Sequence, residues 1–290
     1  MSKLLSPLAI AGVILSLSWL GAAPAEALST VTFVSGKGTN SGTCTELHPC
    51  RTFQFALGQT SPSGEIKAVD PADYGPMTIT KSISITGVEG AGIDSVPAGQ
   101  NAITITAGSK DVINLSYLTI DGKKTASSGI VLNSGGSLTV THCTLWNFLT
   151  DGMELFGTTA FLIADVVVSD NGGEGMQIVH SGGVTGVLQG TLDRVSLHHN
   201  GFGSSCCGTG GIRAAIGSTR ISITNSAVTN NNHIGIDTDD GPTIRLAHSV
   251  VTGNDTGVNA GSGTVDSAGD NYIDGNGTNI TGTLIHVGTQ

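Results

Sequence analysis

The chain has 290 residues and a formal net charge of -10, and only 12% of its residues are charged. An acidic chain is a poor partner for DNA, RNA or an anionic membrane, because like charges repel each other. An acidic polysaccharide would need a cation to bridge it to this surface. The 43 glycines, with abundant Thr, Ser, Val, Ile and Asn, favour short strands and turns over helices.

The first 27 residues have the pattern of a secretory signal peptide. Lys3 supplies the positive start, Leu8 to Ala23 form an apolar run, and Ala25-Glu26-Ala27 offers a small-x-small cleavage pattern. The run is short for a bilayer span. We therefore expect a mature chain that begins at Leu28, has no membrane span, and is secreted or periplasmic.

Residues 28–75 are predicted to form an N-terminal cap. Cys44 and Cys50 flank a short polar segment and favour a disulfide in an oxidising compartment. Thr52 to Gln59 is typical of one short amphipathic helix, whose apolar side chains are Phe53, Ala56 and Leu57. Such a helix would cover the open edge of a stack of strands.

Downstream, a glycine followed by an apolar residue recurs at nearly constant spacing. The glycines are Gly129, Gly152, Gly175, Gly211, Gly235 and Gly257, with steps of 23, 23, 36, 24 and 22 residues. The long step is interpreted as a 23-residue step with 13 extra residues between Leu188 and Gly211, which predicts an insertion loop near 198–210. Sequence periods of this length indicate stacked repeats.

A second segment keeps the same period: SLTVTHCTL at 137–145, RISITNSAV at 220–228 and TIRLAHSVV at 243–251. Apolar and polar residues alternate within it, as in a strand with one buried face. No repeat has room for a long helix, which excludes a βαβ sheet. Residues 76–290 are therefore predicted to form an all-β, parallel β-helix of about 23-residue coils, spaced ~4.8 Å apart.

The Gly-Ile repeat and the motif TITNSAV at 222–228 resemble those of secreted right-handed parallel β-helix proteins of the pectate-lyase-like superfamily. The N-terminal stretch around Cys44 and Cys50 resembles the start of a bacterial group of these proteins. The resemblance implies a right-handed helix whose outer strand face can form a saccharide groove. It does not specify an activity, since the superfamily includes lyases, hydrolases, epimerases and non-catalytic binders.

On the Gly-Ile strands, the residues between the inward apolar ones should form outward rows. One row is Val131, Glu154, Gln177, Arg213, Asp237 and Asn259, and the next is Asn133, Phe156, Val179, Ala215, Asp239 and Gly261. We predict Glu154, Gln177, Phe156, Asn259 and Asp240 as substrate-binding residues. Glu154 is expected to be a surface-exposed carboxylate, ~14 Å from Asp237.

The candidate catalytic residues are Asp237, Asp239 and Arg213. Asp237 and Asp239 share one face at ~6.6 Å, a spacing compatible with an inverting carboxylate pair or a shared Ca²⁺. The alternative is an ion pair between Arg213 and Asp237, with Asp239 and Asp240 starting a turn. A base role for Arg213 would be unusual, because a guanidinium stays protonated.

The remaining polar residues are interpreted as follows. His198, His199, Cys206 and Cys207 could hold a metal or staple a loop, and match no known metal motif. His142, Asn225 and His248 are expected to share one position in successive turns. Cys143 aligns with Ser226 and Ser249, which indicates a small, half-buried thiol.

Three functions remain open from the sequence. The first is a binder of extracellular polysaccharide that uses the outer face of the Gly-Ile strands. The second is a polysaccharide lyase or glycoside hydrolase centred on Asp237, Asp239 and Arg213. The third is a structural envelope or adhesion protein.

Overall fold

The computed structural model describes residues 28–157, 160–180, 186–203 and 209–288. The predicted signal peptide, residues 1–27, lies outside the described residues. The elements in chain order are β1 (Ser29–Val34), α1 (Phe53–Gln59), β2 (Thr60–Ala68), β3 (Met77–Ile79), β4 (Ile83–Thr86), β5 (Gly92–Ile93), β6 (Ile103–Thr106), β7 (Val112–Ser116), β8 (Thr119–Asp121), β9 (Ile130–Ser134), β10 (Ser137–Thr141), β11 (Thr144–Trp146), β12 (Met153–Leu155), β13 (Ala160–Ser169), β14 (Met176–Val179), β15 (Leu188–His198), β16 (Thr209–Ala215), β17 (Thr219–Thr224), β18 (Ala227–Thr229), β19 (Ile234–Asp239), β20 (Thr243–Ala247), β21 (Val250–Thr252), β22 (Thr256–Asn259), β23 (Thr264–Ser267), β24 (Tyr272–Ile273), β25 (Thr278–Thr281) and β26 (Leu284–His286).

Nine of these strands form one parallel sheet, which we call the Gly-Ile sheet: β3, β6, β9, β12, β14, β16, β19, β22 and β25. The other strands form the second sheet, also paired in parallel from coil to coil. Each coil therefore adds one strand to the first sheet and up to two to the second. This is the parallel β-helix that the repeat predicts.

The hydrophobic core fills the space between the two sheets. The inward residues of the Gly-Ile sheet are fully buried in consecutive coils, as with Ile130, Met153 and Met176. They stack directly over one another in the strand register. Burial of each such side chain contributes about 1.5–3 kcal/mol, and the core continues along the length of the coils.

A column of left-handed turn residues separates the two strands that each coil adds to the second sheet. His142, Asn225 and His248 lie in this column, with φ of 53°, 53° and 50°. The prediction that they share one turn position is confirmed. Asp165 and Arg194 hold the same position in the coils between them, and their side chains form an exposed ion pair of 2.6 Å.

A ladder of buried asparagines closes the turns that lead back toward the Gly-Ile sheet. The Nδ2 of Asn171 donates to Oδ1 of Asn200 at 2.8 Å, Asn200 donates likewise to Asn231 at 3.0 Å, and Asn231 to Asn254 at 3.1 Å. Each of these Oδ1 atoms also accepts a backbone N–H from the preceding coil. The ladder supplies buried turn amides with partners, which they need in the absence of water.

The N-terminal cap has the predicted contents. Cys44 and Cys50 form a disulfide, and the Thr52 hydroxyl accepts from the backbone N–H of Phe55 at 3.3 Å to begin the helix. Helix α1 buries Phe53, Ala56 and Leu57. The domain boundary at residue 76 stays a prediction, although β1 and β2 already pair in parallel with each other, and β2 with β4.

The insertion is divided, which corrects the single loop expected between Leu188 and Gly211. The strand pair Ala160–Gln189 already differs by 29 residues, against 23 for Ser137–Ala160. The step rises to 36 only at the pair Met176–Ile212. The extra residues therefore fall partly before β15 and partly after Asn200, because strand β15 must keep its stacking register between them.

Candidate functional site

The outward row of the Gly-Ile sheet forms as the sequence predicts, and we call it the strand face: Glu154, Gln177, Arg213, Asp237 and Asn259. Successive members are direct partners in the parallel register. Two other residues of the expected outer rows are buried, contrary to expectation: Val131 and Ala215 are 5% and 1% exposed. Each short side chain has a longer polar residue, Glu154 or Asp239, as its partner in the adjacent coil.

Arg213 is held by both predicted catalytic aspartates. Its Nη2 lies 3.2 Å from Oδ2 of Asp239, and its Nε lies 3.9 Å from Oδ2 of Asp237. Asn259 donates from Nδ2 to Oδ1 of Asp237 at 2.8 Å, and Asp237 is only 8% exposed. The arrangement is the ion pair considered as the alternative, and a guanidinium so paired is a poor proton acceptor.

Asp240 lies in the turn that follows the strand face. Its φ is 57°, and its backbone N–H donates to the Ser262 hydroxyl at 2.7 Å. The same hydroxyl donates to Asp239 at 3.3 Å. Asp239 and Asp240 thus form the start of the turn before Gly241 and Pro242.

Sequence reasoning missed a group of buried acids next to the strand face, which we call the acid cluster: Asp151, Glu154 and Glu174. Asp151 and Glu174 are 7% and 3% exposed. The backbone N–H of Glu174 donates to Oδ1 of Asp151 at 2.6 Å. Burial raises the pKa of Asp151 to about 9, with further contributions from the contact with the Glu174 carboxyl and from the charges of Glu174 and Glu154.

Glu154 is half-buried, which corrects the expectation of an exposed carboxylate. The Ser128 hydroxyl donates to its Oε1, and also lies 2.5 Å from the Thr150 hydroxyl. Burial raises the pKa of Glu154, although the bond from Ser128 acts in the opposite direction. Raised pKa values of this kind are common among functional acids.

A sequence signal for the acid cluster did exist. Ser128, Asp151 and Glu174 each immediately precede a glycine of the repeat, so they occupy one column in three successive coils. The outward rows were taken only from positions after the glycine. That choice left the preceding column out.

Two cavities flank this region. The larger, of about 790 Å³, is lined by residues that include Lys124, Phe148, Leu149, Thr150, Asp170 and Phe202. The smaller, of about 440 Å³, is lined by polar residues that include Gln54, Thr78, Gln100, Asn101 and Thr104. Gly99 lines both cavities, so they are neighbours at that residue.

The other predicted polar groups are separate from the strand face. His198 and His199 contact each other, with Nδ1 atoms 3.4 Å apart, whereas Cys206 and Cys207 lie outside the described residues. No group of three potential metal-ligating side chains occurs within the described ranges. Cys143 is buried, more deeply than predicted, and burial raises its pKa to about 12. Phe156 follows β12, where its backbone N–H donates to Leu132.

No family model and none of the curated proteins matches this chain. Among solved structures it is similar to pectate lyase Pel9A, with a TM-score of 0.59 at 15% identity over 83% of this chain and 75% of the other. It is also similar to a rhamnogalacturonan lyase, with a TM-score of 0.53 at 12% identity over 79% and 75% of the two chains. The protein is therefore a right-handed parallel β-helix of pectate-lyase-like fold.

No helix of the described part of the chain is long and apolar enough to cross a membrane.

Proposed function

We propose that this protein is exported and binds extracellular polysaccharide along the strand face. The observation that carries the proposal is the unbroken register of Glu154, Gln177, Arg213, Asp237 and Asn259. The row offers amide, guanidinium and carboxylate groups at ~4.8 Å steps, and these can exchange hydrogen bonds with a series of sugar hydroxyls.

The cavities support an elongated ligand. The smaller one presents mostly amide and hydroxyl groups, and the larger one adds the exposed rings and side chains of Phe202 and Leu149, at 63% and 51% exposure. Concave sites that combine apolar surface with a few polar groups are typical of small-ligand binding. The similar structures are both named as lyases, of pectate and rhamnogalacturonan, which is in keeping with a polysaccharide ligand.

The charge of the strand face favours an uncharged polymer. Glu154, Asp237 and Asp239 stand against the single cation Arg213 in this row and its neighbour, so a polyuronate would be repelled unless Ca²⁺ bridged it. Export is supported by the signal-like first 27 residues and by the disulfide.

A lyase or hydrolase centred on Asp237, Asp239 and Arg213 is the second candidate. It has less support, because Arg213 is neutralised by the two carboxylates that would have to act with it. A structural envelope or adhesion role is the third, and no contact in the described residues favours it specifically.

The test is affinity electrophoresis and calorimetry against neutral and acidic glycans, with and without Ca²⁺. Gln177→Ala and Asn259→Ala should weaken binding by about 5- to 10-fold each, as expected for the loss of about 1 kcal/mol. Asn114→Ala is the matched control, since Asn114 faces outward on the other sheet and bonds only Ser84 among the side chains. Absence of binding to every glycan would refute the proposal.

A further inference from the structure

The acid cluster has one feature that a set of ordinary surface carboxylates lacks. The Oε1 atom of Glu174 is buried and has no hydrogen-bond partner, although the side chain is only 3% exposed. Its nearest acidic neighbour is Asp151, one coil away and placed by the pairing of Met153 with Met176. Two ionised carboxylates in such a site would both be acceptors, and neither could satisfy the other.

A single proton shared by Asp151 and Glu174 resolves this arrangement. A protonated carboxyl becomes a donor, so it can bond the neighbouring carboxylate and remove one of the two like charges. The raised pKa of Asp151, about 9, has burial and this neighbour among its causes. Asp151 is thus a protonated acid at neutral pH, at the edge of the strand face.

We propose that the acid cluster is a catalytic centre that hydrolyses glycosidic bonds in a neutral polysaccharide, with Asp151 as general acid and Glu154 as general base. Glu174 is a positioning residue, which acts by keeping the proton on Asp151. The inference rests on the proposed function, since the strand face must first bind the polymer.

The reaction balances with water as the co-reactant. Asp151 gives its proton to the glycosidic oxygen, and the bond between that oxygen and the anomeric carbon breaks. Water adds to the anomeric carbon, and Glu154 takes the proton that the water loses. Transfer of this proton from Glu154 back to Asp151 restores the starting state, with one new reducing end formed per bond cleaved.

The surroundings of the centre fit this substrate class. Thr150 lines the larger cavity, and its hydroxyl contacts the Ser128 hydroxyl that donates to Glu154. A sugar in the cavity would therefore lie beside the base. The charged groups that face Asp151 are Glu154 and Glu174, and negative charge there disfavours a uronate and stabilises the positive charge that develops on a sugar ring.

This centre differs from the group around Arg213. Asp237 lies three coils from Glu154 along the register, which is ~14 Å. That distance is too long for one carboxylate pair to act on a single glycosidic bond. Asp237→Asn should therefore leave the chemical step intact while it alters binding.

The experiment measures reducing ends released from soluble neutral glucan, xylan and galactan, with polygalacturonate as the acidic comparison. Asp151→Asn and Glu154→Gln should each lower kcat by about 100-fold or more with binding retained. Asp266→Asn and Glu65→Gln are the matched controls on the other sheet, and should not change turnover. Glu174→Gln should keep activity at low pH but move the alkaline limb of the pH profile to lower pH.

A titration of the wild-type protein makes the test independent of how the variants fold. The carboxyl ¹³C resonance of Asp151, followed by NMR, should titrate near pH 9, and titration in the ordinary aspartate range would overturn the inference. Binding of a neutral glycan without cleavage would also overturn it and leave the proposed function standing. Absence of binding to any glycan would remove the proposed function and this inference together.

Discussion

The buried pair Asp151 and Glu174 should make this protein less stable as the pH rises through neutrality. The pKa of Asp151 is about 9 in the folded chain, against the ordinary value of 3.8 for an unfolded one. Between these values the folded state holds the extra proton. The stability that this proton provides is fully present below about pH 4 and is lost progressively toward about pH 9.

The magnitude follows from proton linkage. One additional proton on the folded state lowers the free energy of unfolding by about 1.4 kcal/mol per pH unit. Between pH 5 and pH 8 the loss is therefore at most about 4 kcal/mol. The raised pKa of Glu154 acts in the same direction, whereas the lowered pKa of His198 acts in the opposite one below its ordinary value of 6.5.

The assay is urea unfolding at several pH values, for the wild type and for the double variant Asp151→Asn/Glu174→Gln. The double variant removes both acids but keeps side chains of the same shape, so the other titrating groups cancel in the difference. We expect the variant to gain on the wild type steadily from pH 5 to pH 8. A constant difference over that range would refute the reasoning, because it would mean that the pair holds no extra proton.

Three further predictions concern the scaffold. Asn231→Ala should cost about 3 kcal/mol or more in urea unfolding, because it leaves buried partners such as Leu197 O and Asn200 Nδ2 without bonds; Asn114→Ala, with its single part-buried bond, should cost under about 1 kcal/mol. The Cys143 peptide should stay unlabelled by iodoacetamide at pH 8 in the native protein and become labelled in urea, since its pKa is about 12 and it is buried; native labelling would contradict the packing. The double variant Cys44→Ser/Cys50→Ser should lose about 2 kcal/mol of stability, the loop entropy of a short disulfide, and an unchanged unfolding midpoint would show that the cap holds without it.

The acid cluster shows where prediction from sequence ended. The column Ser128, Asp151, Glu174 is visible in the repeat, yet its burial is not, because the sequence does not show how the backbone bends between one strand and the next. The same limit applies to Glu154, which the alternation correctly places on the outer face but which is half-buried against Ser128. The ion pair of Arg213 could be weighed as an alternative from sequence, and only the side-chain distances favoured it.

The amino-acid sequence by itself determined the coil register, the disulfide and the capping helix. These depend on information that is periodic or local: glycines at constant spacing, strict apolar alternation, and a short amphipathic segment beside two cysteines. Only the tertiary structure decided which acids are buried together, how the asparagine ladder closes the turns, and that the insertion is divided around β15. Those features depend on how turns of unequal length pack against neighbouring coils, and desolvation and hydrogen bonding act on side chains only once that packing is in place.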